Sequence, residues 1–245
     1  MNHRIVTIEQ EIVSFLEEHR NPEIVRKYSR FFTEGYDAYG IEKDLLPSQQ
    51  KIWTEQYSEE LGLDGFLDLG DLLVRSGKYE QVILAILFLE SFRDQYTKET
   101  FHRAGRWLDA GICNWAQADI LCQRILSPML TGKVIDISDL EPWREGASKW
   151  KRRAVPVSML ALKNQTDLYP SFFDCISPLM TDSERVVHQG LGWLLREMWK
   201  IDPTPAEAFL ISWKETAPRL IFQYATEKME KDERLKFRRS KKGKS

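Results

Sequence analysis

The chain contains 245 residues, of which 42% are hydrophobic and 29% charged, an ordinary balance for a globular protein. No apolar run approaches the roughly 18 residues that cross a bilayer, and the first residues lead into an amphipathic segment. We therefore expect no membrane partner and no secretory signal, and a cytoplasmic, nucleoid-associated location. The formal net charge of −2 excludes neither nucleic acid nor protein as a partner.

Apolar residues recur at helical spacing along the chain, and no segment shows the alternation of a β-strand. The dipeptide Asn21-Pro22 favours a helix start, because asparagine caps a first turn and proline tolerates its first position. Gly62 and Gly77 are each predicted to end a helix. The predicted helices are Ile8–Leu16, one from Pro22, Pro47–Leu61, Phe66–Ser76, Tyr79–Phe92, Lys98–Ala110, Asn114–Leu126, Ser138–Lys149, Trp150–Leu162, Tyr169–Met180, Ser183–Lys200, Pro203–Lys214 and Pro218–Lys236.

Many helices joined by short turns predict antiparallel pairs, and stacked pairs form an α-solenoid. The pairs recur at about 35 to 45 residues, near the length of a HEAT repeat. We therefore predict an all-α, single-domain α-solenoid of HEAT-like antiparallel helix pairs with a concave DNA-binding groove, acting as a monomer. The repeat domain is predicted to cover residues 1–232 and a basic, disordered tail to cover residues 233–245.

The charge is distributed unevenly. The segment Arg234–Ser245 holds seven basic residues and no acidic one, which leaves 28 basic against 37 acidic residues in the remainder. A basic tail on an acidic body is compatible with phosphate binding. A solvated terminus without a binding role remains the alternative.

The cysteines do not predict a metal site. Cys113, Cys122 and Cys175 are odd in number and lack zinc-ligand spacing. We expect all three to be reduced and buried, and we expect no metal.

Eight tryptophans is a high count, and three of them have polar neighbours at suggestive spacing. Trp115 and Asp119 are four residues apart and share one face of a helix. Trp150 opens a helix and shares a face with Arg153. Trp193 lies in the middle of a predicted helix beside an arginine–glutamate pair.

In this order, the three groups resemble the motifs of the DNA alkylation repair enzymes, the AlkD-like alkylpurine DNA glycosylases. The matching stretches are Trp115 with Asp119, Trp150-Lys151-Arg152-Arg153-Ala154 and Gly192-Trp193-Leu194-Leu195-Arg196-Glu197. The segment Tyr36–Ile41 is similar to a turn of that family. The resemblance spans roughly residues 10 to 225 and leaves the basic tail outside.

The resemblance implies hydrolysis of the N-glycosidic bond of N3- or N7-alkylated purines in duplex DNA, a step of base excision repair. It implies that Asp119, Trp115 and Trp193 surround the deoxyribose of the lesion. It further implies that Arg153, or its neighbour Arg152, binds a phosphate beside that sugar. Lys163, which follows the same helix, is a further candidate for phosphate contact.

The chemistry agrees with these residue types. An alkylated purine carries a positive charge and leaves as a neutral base, so it needs no general acid, unlike an ordinary glycoside. As the bond breaks, the charge moves to the sugar, where Asp119 would stabilise it and orient the attacking water. A tryptophan face attracts a cation by roughly 0.5 to 2 kcal/mol. The mechanism therefore predicts no metal and no other cofactor.

Several alternatives stay open at this stage. The tryptophans are often core residues in helical proteins, Trp150 above all, and Asp119 would then form an ion pair with Arg103 or Arg124. Arg152 and Arg153 would then be solvated surface residues. For the whole chain, the alternatives are a non-catalytic relative that binds bent or branched DNA, and a HEAT-type protein scaffold without a DNA role.

Overall fold

A computed structural model describes residues 3–240, and every regular element in that part of the chain is helical. The chain forms two compact units, one ending at Met129 and the other beginning at Leu130. This division falls inside the short helix α7 (Ser127–Thr131).

The first unit is built around a pair of neighbouring helices. Its helices are α1 (His3–Glu18), α2 (Pro22–Ser29), α3 (Leu45–Arg75), α4 (Tyr79–Glu90), α5 (Lys98–Trp107) and α6 (Trp115–Leu121), the last running into a π-turn (Cys122–Leu126). The helices α3 and α4 pack along one another, and the rings of Phe66 and Phe88 lie 5.0 Å apart between them. Burial of such rings is the main source of stability for an α-helical pair.

The helix starts and stops of this unit follow local chemistry. The Asn21 side chain accepts a hydrogen bond from Glu23 N at 3.0 Å, which confirms the predicted cap of α2. Gly62 has φ 56° and interrupts α3 with non-helical backbone, so the two helices predicted there are separated at that residue. A side chain would be strained at this positive φ, whereas glycine is not.

The second unit has α11 at its centre. Its helices are α8 (Ile137–Leu140), α9 (Lys149–Met159), α10 (Tyr169–Ile176), α11 (Arg185–Trp199), α12 (Pro203–Trp213) and α13 (Arg219–Ala225). The helix α11 packs against both α9 and α13. A Cβ atom on Gly192 would lie 2.4 Å from the Cβ atom of Tyr224, so only glycine allows α13 to approach this closely.

Two predicted helices of this unit are shorter than expected. The segment predicted as Ser138–Lys149 is a single turn, α8, followed by a 3₁₀ turn (Glu141–Glu145) that ends before extended backbone at Gly146. The segment predicted as Pro218–Lys236 stops at Ala225. The chain turns back after α13 so that Phe237 packs near Phe222, with ring centroids 6.5 Å apart. Tertiary burial thus overrides helix propensity here.

The beginning of the basic tail also differs from expectation. Residues 233–240 pack on the second unit, where Phe237 is 1% exposed and its carbonyl accepts a hydrogen bond from Arg219 Nη1 at 2.8 Å. Ser240 N donates to Glu215 at 3.1 Å. The last five residues of the predicted tail, 241–245, lie outside the described residues.

Two of the three cysteines are buried in the structure. Cys122 and Cys175 are buried, and burial raises the pKa of the Cys175 thiol to about 11. Cys113 is exposed, contrary to the prediction that all three are buried. Between residues 3 and 240, no helix is long and apolar enough to cross a membrane, and no three metal-ligating side chains cluster.

Candidate functional site

Trp115 stands at the exposed end of a capped helix. The side chain of Asn114 accepts a hydrogen bond from Gln117 N at 3.0 Å and so fixes the start of α6. Trp115 is the first residue of that helix and is 42% exposed. It is therefore a surface aromatic residue, and its exposure argues against the alternative of a core tryptophan.

Residues of the segment after α2 contact the ring of Trp115 on one side. Its Nε1 donates a hydrogen bond to the carbonyl of Phe31 at 3.3 Å, and its ring stacks with Phe32 at 5.5 Å and 16°. Phe32 also stacks with Tyr36 at 4.6 Å, and Tyr79 contacts both of these rings. We call Phe32, Tyr36, Tyr79 and Trp115 the aromatic cluster. Stacked pairs of this kind contribute about 0.5 to 1.5 kcal/mol each beyond their burial.

A buried carboxylate fixes the backbone beneath the aromatic cluster. Glu80 is 4% exposed and accepts hydrogen bonds from three successive backbone amides, those of Tyr39, Gly40 and Ile41, at 2.9, 2.7 and 3.2 Å. Consecutive amides that converge in this way form an anion-binding nest. Gly40 has φ +80°, and a Cβ atom there would lie 2.3 Å from the carbonyl oxygen of Asn21. The turn thus requires glycine and holds the start of α2 against α4.

Asp119 lies one helical turn after Trp115 and is 7% exposed. Its position four residues along α6 puts it on the same face as Trp115. The two arginines considered as its ion-pair partners are engaged elsewhere. Arg103 binds Asp68 and Asp71 at 2.7 and 2.6 Å, and Arg124 binds Glu90 at 3.0 Å. The first unit therefore joins a buried carboxylate and an exposed indole on one helix face.

In the second unit, Arg152 is engaged within the protein. Its Nε donates to Asp182 at 2.6 Å, and its Nη1 donates to the carbonyls of Gly146 and Ala147 at 2.7 and 3.0 Å. The side chains of Arg152 and Asp182 are 15% and 6% exposed. This ion pair joins the start of α9 to the turn before α11, so Arg152 is not a solvated surface residue.

Arg153 is also internal. It is 5% exposed, and its Nη1 donates to the carbonyl of Val186 on α11 at 2.6 Å. A Cβ atom on Gly190 would lie 3.5 Å from Arg153 Cγ, which shows how closely α9 and α11 pack here. Trp150 is 5% exposed, as expected of a core residue.

Trp193 is partly exposed on α11. It follows Gly190, which packs against Pro156 and Val157 of α9, by three residues. Lys163 is partly exposed after α9, where its carbonyl accepts a hydrogen bond from the Tyr169 hydroxyl at 2.7 Å.

The arginine–glutamate pair beside Trp193 is structural. Arg196 binds Glu197 at 3.0 Å on its own helix and Glu227 at 2.7 Å beyond the end of α13. Arg196 therefore joins α11 to the segment that follows α13.

Two residues of the site were missed by sequence reasoning. Phe32 and Glu80 carry no motif of their own, although both support the position of Trp115. The available signals were the turn Tyr36–Ile41, which contains a glycine, and an acidic residue two positions before the apolar run Val82–Leu89. An acidic residue at that place in a buried helix needs a partner, and the amides of the turn supply it.

Comparison with known proteins gives a consistent result. The model of one protein family, described as DNA alkylation repair enzyme, matches residues 12–229. No curated protein matches the chain. A solved structure described as a predicted DNA alkylation repair enzyme from Enterococcus faecalis has 16% identity and a TM-score of 0.71, over 87% of this chain and 98% of that one. The crystal structure of AlkD2 from Streptococcus mutans has 17% identity and a TM-score of 0.58, over 85% and 99%. At these identities both likenesses show the fold alone, and they confirm the predicted all-α repeat architecture.

Proposed function

The chain belongs to the DNA alkylation repair enzyme family, and from this membership we propose that it is a DNA glycosylase. The proposed reaction is hydrolysis of the N-glycosidic bond of N3- or N7-alkylated purines in duplex DNA, as in base excision repair. A duplex substrate implies a nucleoid-associated protein, and we propose that it acts as a monomer.

The observation that carries the proposal is the pair Trp115 and Asp119 on one face of α6. The indole is exposed and held from behind by Phe32, while the carboxylate is buried one turn away. An exposed, braced aromatic ring beside a carboxylate suits a cationic sugar in a transition state. If Trp115 served only to stabilise the fold, its indole would be expected in the core.

The proposed mechanism uses the charge already present on the lesion. The alkylated purine departs as a neutral base, so no side chain has to protonate it. Positive charge then develops on the deoxyribose, where Asp119 stabilises it and orients water for attack on the anomeric carbon. Trp115 adds attraction through its ring face, worth roughly 0.5 to 2 kcal/mol. Neither step requires a metal or an organic cofactor.

The second unit is proposed to contribute Trp193 as a further aromatic contact to the sugar. Phosphate binding by Arg153, Arg152 and Lys163 is proposed on the family resemblance. Lys163 is partly exposed, whereas both guanidinium groups donate to acceptors inside the unit.

The experiment is release of free purine from duplex DNA that has been treated with a methylating agent. We expect wild-type protein to release 7-methylguanine or 3-methyladenine and to leave abasic sites, both measured by chromatography. Heat-denatured protein serves as the control for spontaneous depurination. Release no faster than this control contradicts the proposed activity.

A second candidate function is non-catalytic binding of bent or branched DNA. It is favoured by the internal hydrogen bonds of Arg152 and Arg153, which occupy the groups expected to hold a phosphate beside the lesion. This alternative predicts tight, salt-sensitive binding to an undamaged branched duplex without release of base. Binding that is insensitive to salt would instead indicate a protein scaffold.

A further inference from the structure

Residues 233–240 are anchored on the second unit, although they belong to the basic end of the chain. Phe237 is 1% exposed, and its ring centroid lies 6.5 Å from that of Phe222. The Ser240 hydroxyl donates a hydrogen bond to Glu215 at 2.8 Å. The segment is therefore held on the unit at two points, and a side chain that it exposes between them has a fixed place on the surface.

Three arginines belong to this anchored segment and to the start of α13. Arg219 is the first residue of α13, and its Nη1 donates to the carbonyl of Phe237 at 2.8 Å. Arg239 is exposed, and its Nη2 donates to the carbonyl of Ala217 at 3.0 Å. Arg238, which follows Phe237 in the chain, is also exposed. We call Arg219, Arg238 and Arg239 the C-terminal arginine cluster.

The C-terminal arginine cluster has no carboxylate partner. Within the described residues 3–240, no ion pair involves any of its three guanidinium groups. In contrast, a carboxylate lies at 3.0 Å or less from each of six other basic side chains of the same unit, those of Arg144, Arg152, Arg196, Lys200, Lys228 and Lys236. The positive charge of the cluster is therefore available to an external anion.

Two of the three guanidinium groups lie close enough to repel one another. Burial, and then the nearby charge of Arg239, lower the pKa of Arg219. Both groups donate to backbone carbonyls, which carry no net charge to offset the repulsion. An anion bound beside them would offset it, because charge-assisted hydrogen bonds from arginine are among the strong ones.

The acidic residue beside the cluster is engaged elsewhere. Glu215 accepts hydrogen bonds from the amide and the hydroxyl of Ser240 at 3.1 and 2.8 Å. These bonds, and then the nearby charges of Lys214 and Arg239, lower the pKa of Glu215. Glu215 thus holds the segment in place and forms no ion pair with a guanidinium group of the cluster.

The charge of the rest of the chain favours a polyanion at this end. The segment Arg234–Ser245 holds seven basic residues and no acidic one, whereas the remainder holds 28 basic and 37 acidic residues. An acidic body repels DNA on average. In addition, Arg152 and Arg153 donate to acceptors inside the second unit. Exposed cations without acidic partners are therefore needed for general affinity to DNA.

We propose that the C-terminal arginine cluster binds the phosphate backbone of duplex DNA, in addition to the proposed contacts at the lesion. A guanidinium group presents paired N–H donors that match phosphate oxygens, and such contacts carry no sequence information. The cluster therefore contributes affinity for any duplex, damaged or not. The inference goes beyond the proposed reaction, because it concerns undamaged DNA.

The direct test measures the affinity for an undamaged duplex at several salt concentrations. Each phosphate contact contributes about 0.9 to the slope of log K against log salt. The double variant Arg238→Gln/Arg239→Gln removes two charges, so the magnitude of the slope should fall by about 2 and the affinity at low salt by about tenfold or more. A slope equal to that of the wild type overturns the inference, and so does a wild-type protein that does not bind the duplex.

The matched control is Lys200→Gln/Lys228→Gln. It removes the same charge from two exposed positions of the same unit, where each lysine has a carboxylate partner. Its slope should stay near that of the wild type, and thermal unfolding identifies any variant that is misfolded. If the two double variants lose the same slope, the affinity follows net charge alone and the inference is wrong.

A charge-keeping variant tests the physical cause. Arg238→Lys/Arg239→Lys retains both charges and should retain most of the salt slope, because counterion release depends on the number of charges neutralised. A loss of slope equal to that of the glutamine variant contradicts an electrostatic contact with phosphate.

Base release distinguishes this inference from the proposed function. In single-turnover reactions at saturating protein, Arg238→Gln/Arg239→Gln should release 7-methylguanine within about twofold of the wild-type rate, since a phosphate contact of this kind is equal in the ground state and the transition state. Duplex binding through the cluster without any base release contradicts the glycosylase and leaves this inference standing. Base release by a protein whose salt slope does not change in the glutamine variant contradicts this inference alone.

Discussion

The candidate residues of the two units differ in what surrounds them. In the first unit, Trp115 is exposed and its ring is braced by Phe32, so the side chain is both accessible and fixed. In the second unit, Arg152 and Arg153 donate to acceptors of the same unit and are largely shielded. Residues that match the family motifs equally well in the sequence thus differ in their exposure and in their hydrogen-bond partners. The comparison teaches that Trp115 of the first unit is free of the protein core, whereas the motif arginines of the second unit stabilise its packing in addition to any phosphate contact that they make.

The largest expected effect on stability comes from the ion pair of the second unit. Arg152→Ala leaves the Asp182 carboxylate, which is 6% exposed, without this partner. We expect the free energy of unfolding to fall by about 3 to 5 kcal/mol, measured by denaturant titration. Arg185→Ala, at the exposed start of α11, is the matched control. A fully stable Arg152→Ala that has lost DNA affinity would reverse the comparison, because Arg152 would then serve DNA binding and contribute nothing to the packing.

A smaller loss of stability is expected from the turn beneath the aromatic cluster. Glu80→Gln keeps an oxygen for two of the three amides and places an NH2 group against the third. We expect unfolding to become easier by about 2 to 3 kcal/mol, because hydrogen bonds to a charged acceptor are the strong ones. The exposed Glu55→Gln on α3 is the control. If thermal denaturation shows both variants to be as stable as the wild type, the amide nest does not hold the turn.

Replacing the exposed indole should separate activity from stability. Trp115→Ala is expected to lower the rate of base release by about 10- to 30-fold, equivalent to one strong cation–π contact, and to change stability by about 1 kcal/mol or less. Trp150→Ala, which removes a buried indole, should instead cost about 3 to 5 kcal/mol of stability. If Trp115→Ala loses as much free energy of unfolding as Trp150→Ala, Trp115 is part of the core and the contrast between the two indoles is wrong.

The smallest effect is expected from the residue behind the indole. Phe32→Leu removes the ring that stacks with Trp115, so the indole loses its fixed orientation and release should slow by about three- to tenfold. Phe32→Tyr keeps a ring and should restore the rate. If Phe32→Leu and the wild type release base at equal rates, the stack with Phe32 does not contribute to the function of Trp115.

The sequence predicted best those features that depend on neighbouring residues. The Asn21 cap and the break at Gly62 are local, because a capping side chain and a positive φ act within a few residues. The early end of α13 was not predictable, since it depends on the return of Phe237 to Phe222. A contact between two rings that depends on a chain reversal produces no helical spacing of apolar residues in the sequence.

The same limit applies to the candidate site. Trp115 and Asp119 share a helix face because of their spacing, so their association was predictable. The acceptors of Arg152 and Arg153, which are Asp182 and the carbonyl of Val186, lie 30 and 33 residues away in the sequence. Nothing near the two arginines indicates that they are internal. The brace formed by Phe32 was missed for the same reason, since it reaches Trp115 across more than 80 residues.

The most direct test of the central claim is the single-turnover rate of 7-methylguanine release from a defined duplex by Asp119→Asn. The substitution removes the charge and keeps the size of the side chain. Asp94→Asn, at an exposed aspartate of the same unit, is the matched control. We predict a fall of about 100-fold or more for Asp119→Asn, with binding of the duplex retained and the control unchanged. A rate equal to that of the wild type would contradict the role of Asp119 and with it the proposed mechanism.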